Sequence, residues 1–527
     1  MDSSDNALPA DDSRRRIPEA LLYAAAYPHP AADIRLIETH ISWVLLAGDF
    51  AYKLKKPVDL GFLDFSRLAR RKHFCEEELR LNRRLAPSLY LDVVTLRETA
   101  HGLRFGDSGE VVEYAVRMRR FPQQAQLDRQ LGQGGLVEND MDPIADLIGG
   151  FHRAAAVAPA AALWGTPMAV AAPALENFAQ LQDIFDDPVV TMLRHWTEQN
   201  YPRLALRFAF RRATGFVREC HGDLHLRNMA RIDSQYLAFD GIEFEPALRW
   251  IDIISDAAFL FMDLQSRDHP RLAWRFLNRW LMVTGDYAGL DLLEWYVVYR
   301  HMVRAKVDGI RLGQTGLAEE EAGHLRRRIH HHLALAHAVT MPRTPALIMT
   351  WGLSGSGKSW LARHLAPVLP GVIVRSDVER KRMFGAGRKD AATDQGIYSS
   401  KASDLTYRRL RELARKVLTS GHHVIVDASF LDPARRVPFV ELANHLRVPH
   451  LFLRCEADPV TLRDRVLARA RDGDDPSDAG PAVLAAQQQR FGDLAPDANA
   501  VAIRADHKVD IDRLGDEIRE RLARAGP

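Results

Sequence analysis

With 527 residues, 71 of them Lys or Arg, 69 Asp or Glu, and 47% apolar, the chain exceeds what one hydrophobic core serves, and two or three domains are expected. A formal net charge of +2 gives no global pull toward nucleic acid or a membrane surface. Cys75, Cys220 and Cys455 lie far apart without CxxC spacing, which argues against a disulfide framework or structural zinc, and no run of 18 apolar residues offers a membrane span, so a cytoplasmic protein is expected.

Residues 1–16 are rich in Asp, Ser and Arg without apolar periodicity and are expected to form a disordered tail. Ile41, Trp43, Val44, Leu45 and Leu46 predict a strand, Ala47 to Asp49 a turn, and Phe50 to Leu54 its antiparallel partner. Phe74 to Leu85 has helical spacing and carries Glu76, Glu77 and Glu78. Strands follow at Leu91–Leu96 and Val111–Met118. From Leu127 the pattern turns mostly helical, with a strand–loop–strand unit at Cys220–Asp240 and helices at Asp252–Gln265, Arg271–Thr284 and Leu290–Val307. Strands with one helix, then a helical region, predict an α+β two-lobe domain over 17–340.

Met341 to Pro345 reads as a linker. Beyond it, over 346–527, strands (Leu347–Trp351, Val372–Arg375, His423–Asp427, His450–Arg454) alternate with helices (Ser359–Leu369, Ala402–Ser420, Arg435–Leu446, Val460–Arg471). That alternation predicts an α/β domain with a parallel sheet. From Met341 onward the formal charge is +6, against −4 before it, a mild asymmetry that suits phosphate handling.

In the first domain, His221-Gly222-Asp223-Leu224-His225-Leu226-Arg227-Asn228 is followed by a short strand ending at Asp240. A carboxylate, an amide five residues on, and a second carboxylate at a strand end are what phosphoryl transfer to a hydroxyl requires. Asp223 is then the base, and Asn228 and Asp240 the Mg²⁺ ligands. Such an assembly also needs a strand lysine and a helix glutamate: Lys53 with Glu78 fits, with Lys55 and Glu77 as alternatives.

His221–Asn228 with Asp240 resembles the aminoglycoside phosphotransferase family, over roughly Glu38 to Ala305. The resemblance implies a protein-kinase-like fold, ATP, and a small-molecule hydroxyl as acceptor. Trp43–Asp49 has one glycine where protein kinases carry a glycine-rich motif, so ATP cover by that loop has no support. Within the family an aspartate near Asp252 buttresses the catalytic loop, and Asp256 lies four residues on. His225 is expected to orient, and His330-His331-His332 to be a solvated cluster.

In the second domain, Gly352-Leu353-Ser354-Gly355-Ser356-Gly357-Lys358-Ser359 matches G-x-x-x-x-G-K-[ST] in full. Glycines let successive N–H groups point at a phosphate at a helix start. Lys358 would reach the β/γ-phosphates, and Ser359 the Mg²⁺ shell. Asp377, just after the second strand, is a candidate base, with Arg380 steadying the transferred group. Asp427 ends an apolar strand as a Mg²⁺-holding acid does. Arg463, Arg465, Arg469 and Arg471 precede an Asp/Gly-rich stretch, the pattern of a lid whose Arg465 and Arg469 close on ATP.

Ala346–Leu522 resembles small P-loop kinases of the gluconate kinase, polynucleotide kinase and zeta-toxin group, with Asp377 and Arg380 matching their Asp-x-x-Arg. The whole chain resembles bacterial fusions of an aminoglycoside phosphotransferase-like domain with an AAA-type or P-loop kinase domain. The expectation is an ATP- and Mg²⁺-dependent phosphotransferase acting on small-molecule hydroxyls, with two ATP sites. The alternative keeps only the P-loop domain active, beside a regulatory or substrate-binding first domain. Near-zero charge and the lack of an aromatic-basic stripe count against nucleic acid.

Overall fold

The computed structural model describes residues 17–61, 63–385, 399–472, 479–491, 500–505, 507 and 509–525. The tail at 1–16 and the Asp/Gly-rich stretch at 473–478 lie outside the described residues. By compactness the chain divides into two units: Met1–Val137 with Gly150–Glu176 and Glu198–Asp263, and Glu138–Gly149 with Asn177–Thr197 and Leu264–Pro527.

In the first unit, β1 (Arg35–Glu38), β2 (Ser42–Ala47), β3 (Phe50–Lys55), β4 (Tyr90–Thr99), β5 (Gly102–Phe105) and β6 (Glu110–Arg119) form an antiparallel sheet in the order β1-β2-β3-β6-β4-β5. Because side chains alternate along a strand, Tyr52 and Leu54 of β3 pack with Trp43, Leu45, Leu96 and Phe105 on one face. Lys53 and Lys55 point to the other, where Cys75 of the helix Leu68–Asn82 packs with Tyr90 and Val116. β1 and β5, absent from the sequence reading, are four-residue edge strands.

Two short ribbons follow: β7 (Val217–Glu219) pairs with β10 (Trp250–Asp252), and β8 (Met229–Ile232) with β9 (Gln235–Ala238). Asp233 and Ser234, which join β8 to β9, both have positive φ, as a two-residue hairpin turn requires. Sheet, single helix and helical region together make the α+β kinase-like arrangement.

In the second unit, β11 (Leu347–Trp351), β12 (Gly371–Arg375), β13 (His423–Asp427), β14 (His450–Glu456) and β15 (Ala500–Arg504) form a parallel sheet ordered β12-β13-β11-β14-β15. Every residue of β11 and β12 is buried, as a sheet covered on both faces demands. Sequence reasoning missed β15 and the helices Pro481–Phe491 and Ile511–Ala525.

The same unit takes in the helices Pro270–Thr284, Leu293–Leu312 and Glu319–Thr340. Asn278 meets the open edge of β12 as a strand would. Its Nδ2 donates to Gly371 O (2.9 Å) and its Oδ1 accepts from Ile373 N (2.7 Å). An edge whose backbone groups are satisfied this way offers no template for further pairing. The Tyr287 hydroxyl adds a bond to Ile373 O at 3.2 Å.

Helices Leu293–Leu312 and Glu319–Thr340 share a core of Val298, Met302, Ile329 and Leu333. This corrects the reading of the histidine cluster. His332 is buried, its Nδ1 3.1 Å from Nδ1 of His301, while His330 faces Asp187 and His331 bonds Ser266 O. Consecutive helical residues point apart, so one of three reaches the core.

Burial pushes His301 down to about 3 and His332 to about 2, so both are neutral when folded. The unfolded chain takes up protons near pH 6.5, so stability is full above that value and falls as pH drops below it. Between about pH 7 and about pH 5 the loss is expected to be about 2 kcal/mol per histidine. Denaturant melts of His332→Leu should show roughly half the acid sensitivity of this pair.

All three cysteines are buried, and none forms a disulfide among the described residues. Among the described residues no helix is long and apolar enough to cross a membrane.

Candidate functional site

In the first unit, β3 carries Lys53 and Lys55 beneath the helix Leu68–Asn82, and both ammoniums reach Glu78. Lys53 Nζ lies 2.9 Å from Oε1, and Lys55 Nζ 2.5 Å from Oε2. The two lysines weighed as alternatives are thus both partners of one glutamate. Lys55 is fully buried and also pairs with Glu243, while Lys53 reaches Asp240 at 2.5 Å. Glu77 instead pairs with Arg80 and Arg249.

Burial alone would raise the Glu78 carboxyl, but two ammoniums outweigh it and hold it below its usual range. Glu243, sharing one buried lysine, is left above its own. The neighbouring Lys53 charge keeps Asp240 ionised. Glu243 was missed because a glutamate three residues past Asp240 forms no pattern. Glu78→Ala would leave two buried cations short of a counter-charge, and chemical denaturation of the full chain should show a loss of about 3 kcal/mol.

The loop His221–Asn228 is held from behind by Asp256. Its carboxylate accepts the N–H of His221 (3.0 Å) and of Gly222 (2.9 Å) and faces His152 Nε2 at 3.1 Å. Burial opposes the charge, yet these donors bring Asp256 down to about 2. Asp263 accepts the N–H of Leu226 at 2.9 Å. Asp252 does not hold the loop: it forms a two-bond pair with Arg211 at 2.6 and 2.7 Å. The buttress therefore sits four residues later than the resemblance implied.

His221 Nε2 donates to Phe239 O (2.9 Å) and Nδ1 accepts the Asp223 N–H (3.3 Å), which fixes one neutral tautomer. Asn228 Nδ2 donates to Asp223 at both O and Oδ2, and His225 Nε2 lies 3.3 Å from the same carboxylate. Asp223 remains about one-third exposed, oriented by an amide and an imidazole. The Asn228 donor is spent on Asp223, which leaves its oxygen, together with the half-exposed Asp240 carboxylate, to suit a hard cation.

In the second unit, β11 runs into the loop Gly352–Ser359 and the helix Lys358–Val368. Gly355, at φ +83°, leaves no room for a Cβ, which would meet Leu462 O at 2.6 Å. Lys358 Nζ donates to Leu353 O (2.6 Å) and lies 3.4 Å from Ser356 Oγ. Burial lowers its pKa. Asp427, at the end of β13, is buried beside Arg375 (3.4 Å) and hydrogen-bonded by Ser359; burial raises its carboxyl. A hydroxyl and a carboxylate in contact at a phosphate loop suit Mg²⁺.

Lys358, Ser359, Asp377, Arg380 and Asp427 all line one cavity of about 530 Å³, and Arg465 and Arg469 are also in its wall. Arg380 is buried and donates to Ser403 Oγ at 3.3 Å. Arg465 donates to Gly355 O and Ala505 O, Arg469 to Ala479 O, while Arg463 and Arg471 are exposed. Gln487, also unforeseen, accepts the Ser354 N–H at 2.8 Å. A further cavity of about 530 Å³ is walled by Trp360, Ala505, Val509 and Ile511, a largely apolar slot beside Gly357.

The AAA domain family profile matches residues 347–494. Uncharacterized protein Rv2004c of Mycobacterium tuberculosis is 33% identical over 470 residues, which cover 87% of this chain and 92% of that protein. The chain belongs to the same family as that mycobacterial protein. Uncharacterized protein Mb2027c of Mycobacterium bovis matches to the same extent.

Among solved structures, amicoumacin kinase hAmiN in complex with AMP-PNP, Ca²⁺ and Ami is 14% identical, with 62% of this chain and 94% of that chain covered and a TM-score of 0.39. The Mycobacterium tuberculosis APS kinase CysC in complex with AMPPNP and APS is 19% identical, with 34% and 99% covered and a TM-score of 0.25. With a complete phosphate loop in one unit and a kinase-type catalytic loop in the other, the chain is a kinase-class phosphotransferase.

Proposed function

We propose that the protein transfers the γ-phosphoryl group of ATP to hydroxyls of small molecules, using one site in each unit. The observation that carries this reading is the convergence, on one cavity, of Lys358, Ser359, Asp377, Arg380 and Asp427, residues drawn from a phosphate loop and two strand ends. In the first unit the support is Asp223, partly exposed and oriented by Asn228 and His225, with Lys53 held by Glu78.

At each site the roles follow from charge and reach. Asp223 and Asp377 accept the acceptor's proton, while Lys53 and Lys358 bring cations to the nucleotide phosphates. Arg380, with Arg465 and Arg469 in the same cavity wall, stabilises charge on the transferred group. The slot beside Trp360 takes the adenine ring. Mg²⁺ would be held by Asn228 and Asp240 in one unit and by Ser359 and Asp427 in the other, where it offsets phosphate charge.

Incubation of the full chain with γ-labelled ATP and a small-molecule extract tests this directly. Labelled acceptors are expected, in two sets distinguished by their response to Asp223→Asn and Lys358→Ala. Label appearing only as inorganic phosphate would reduce the protein to an ATPase. Loss of every product in Lys358→Ala alone would favour a regulatory first unit.

A further inference from the structure

A separate cavity of about 540 Å³ in the second unit begins at Ser359 and Asp427 and runs out to the helix Pro270–Thr284. Six arginines line it against two aspartates, a strongly positive wall for a chain of almost no net charge. Arg465 and Arg469 donate to main-chain carbonyls, which occupy hydrogens without cancelling charge.

The far wall is built with care. Arg275 and Arg279, one turn apart, each form a two-bond pair through Nε and Nη2. Arg275 holds Asp142 at 2.7 and 2.8 Å, and Arg279 holds Asp146 at 2.7 and 2.9 Å. These pairs fix both guanidinium planes and leave Nη1 of each uncommitted to its aspartate. Arg275 is only 3% exposed, and its buried Nη1 has no hydrogen-bond partner among the described residues. A buried donor left unmade is costly in a folded protein, and where it lines a cavity it marks a place for an acceptor.

We propose that this cavity binds a phosphate group carried by the acceptor of the P-loop site, with Arg275 as its buried anchor and Arg279 and Arg363 beside it; this rests on reading that site as a kinase. The acceptor is then a phosphorylated small molecule whose hydroxyl lies near Asp377 while its phosphate lies against the helix Pro270–Thr284. Rigid guanidiniums bind a phosphate through paired donors, and a dianion matches this charge excess better than a single carboxylate. The helix that seals the edge of β12 through Asn278 would thereby also read the substrate.

The test uses the full chain saturated with Mg²⁺ and AMP-PNP, so that the nucleotide's own phosphate positions are filled, with inorganic phosphate titrated in by calorimetry. Phosphate is expected to bind, and at least tenfold more weakly to Arg275→Lys, which keeps a cation against Asp142 but lacks the second donor. Arg279→Gln should weaken it similarly, with AMP-PNP affinity measured on each variant. No phosphate binding to the saturated protein, equal binding by the variants, or a parallel fall in phosphate and AMP-PNP affinity would each overturn the proposal. An unaltered chain that binds phosphate but not AMP-PNP would overturn the kinase reading of the loop, and the acceptor assignment with it.

Discussion

Asp223→Asn is expected to slow phosphoryl transfer in the first unit about a thousandfold, near 4 kcal/mol of barrier. The amide keeps an oxygen where Asn228 Nδ2 now donates at 2.9 Å, so the loop retains its shape while losing its base. His221 and Gly222 remain tied to Asp256, which the substitution does not touch. The readout is turnover of the acceptors labelled in that unit. A loss under tenfold would show that Asp223 does not take the proton.

Lys358→Ala is expected to cost the second unit about a thousandfold in turnover, because an ammonium at the phosphates of a water-poor site stabilises charge that water cannot reach. Here the ammonium folds back on its own loop, onto Leu353 O and Ser356 Oγ. Binding would exchange those neutral acceptors for phosphate oxygens, which burial of the lysine favours. Removing the side chain loses that exchange, and AMP-PNP affinity at this loop should fall along with turnover. Products made by the first unit should persist, and only the double variant with Asp223→Asn should be inert.

Much of this was legible in the sequence where chemistry demands fixed spacing. Gly352–Ser359 and His221–Asn228 declare themselves because each packs its functional atoms into one loop. Long-range partners were harder. Glu78 was preferred over its neighbours, but that it gathers both Lys53 and Lys55 depends on β3 side chains alternating beneath one helix. Glu243 and Arg275 had no local signal, being single charges whose meaning comes from elements far away in sequence. The shift of the buttress from Asp252 to Asp256 follows because Asp252 ends β10 while Asp256 stands in the first turn of the helix that begins at Ile253, a boundary that spacing alone does not place.

The β12 edge shows the same limit. Met341–Pro345 reads as a boundary by composition, yet Asn278 and Tyr287, well before it, complete the sheet that begins after it. Backbone groups at a sheet edge accept any suitably placed amide, and only the folded chain shows which one arrives.

The most direct measurement is the stoichiometry of Mg²⁺–AMP-PNP binding to the full chain by calorimetry. Two nucleotides per chain are expected, falling to one in Lys358→Ala and to one in Lys53→Met, each variant sparing the other unit's site. One nucleotide per chain in the unaltered protein, abolished by Lys358→Ala and unmoved by Lys53→Met, would contradict a second phosphotransfer site.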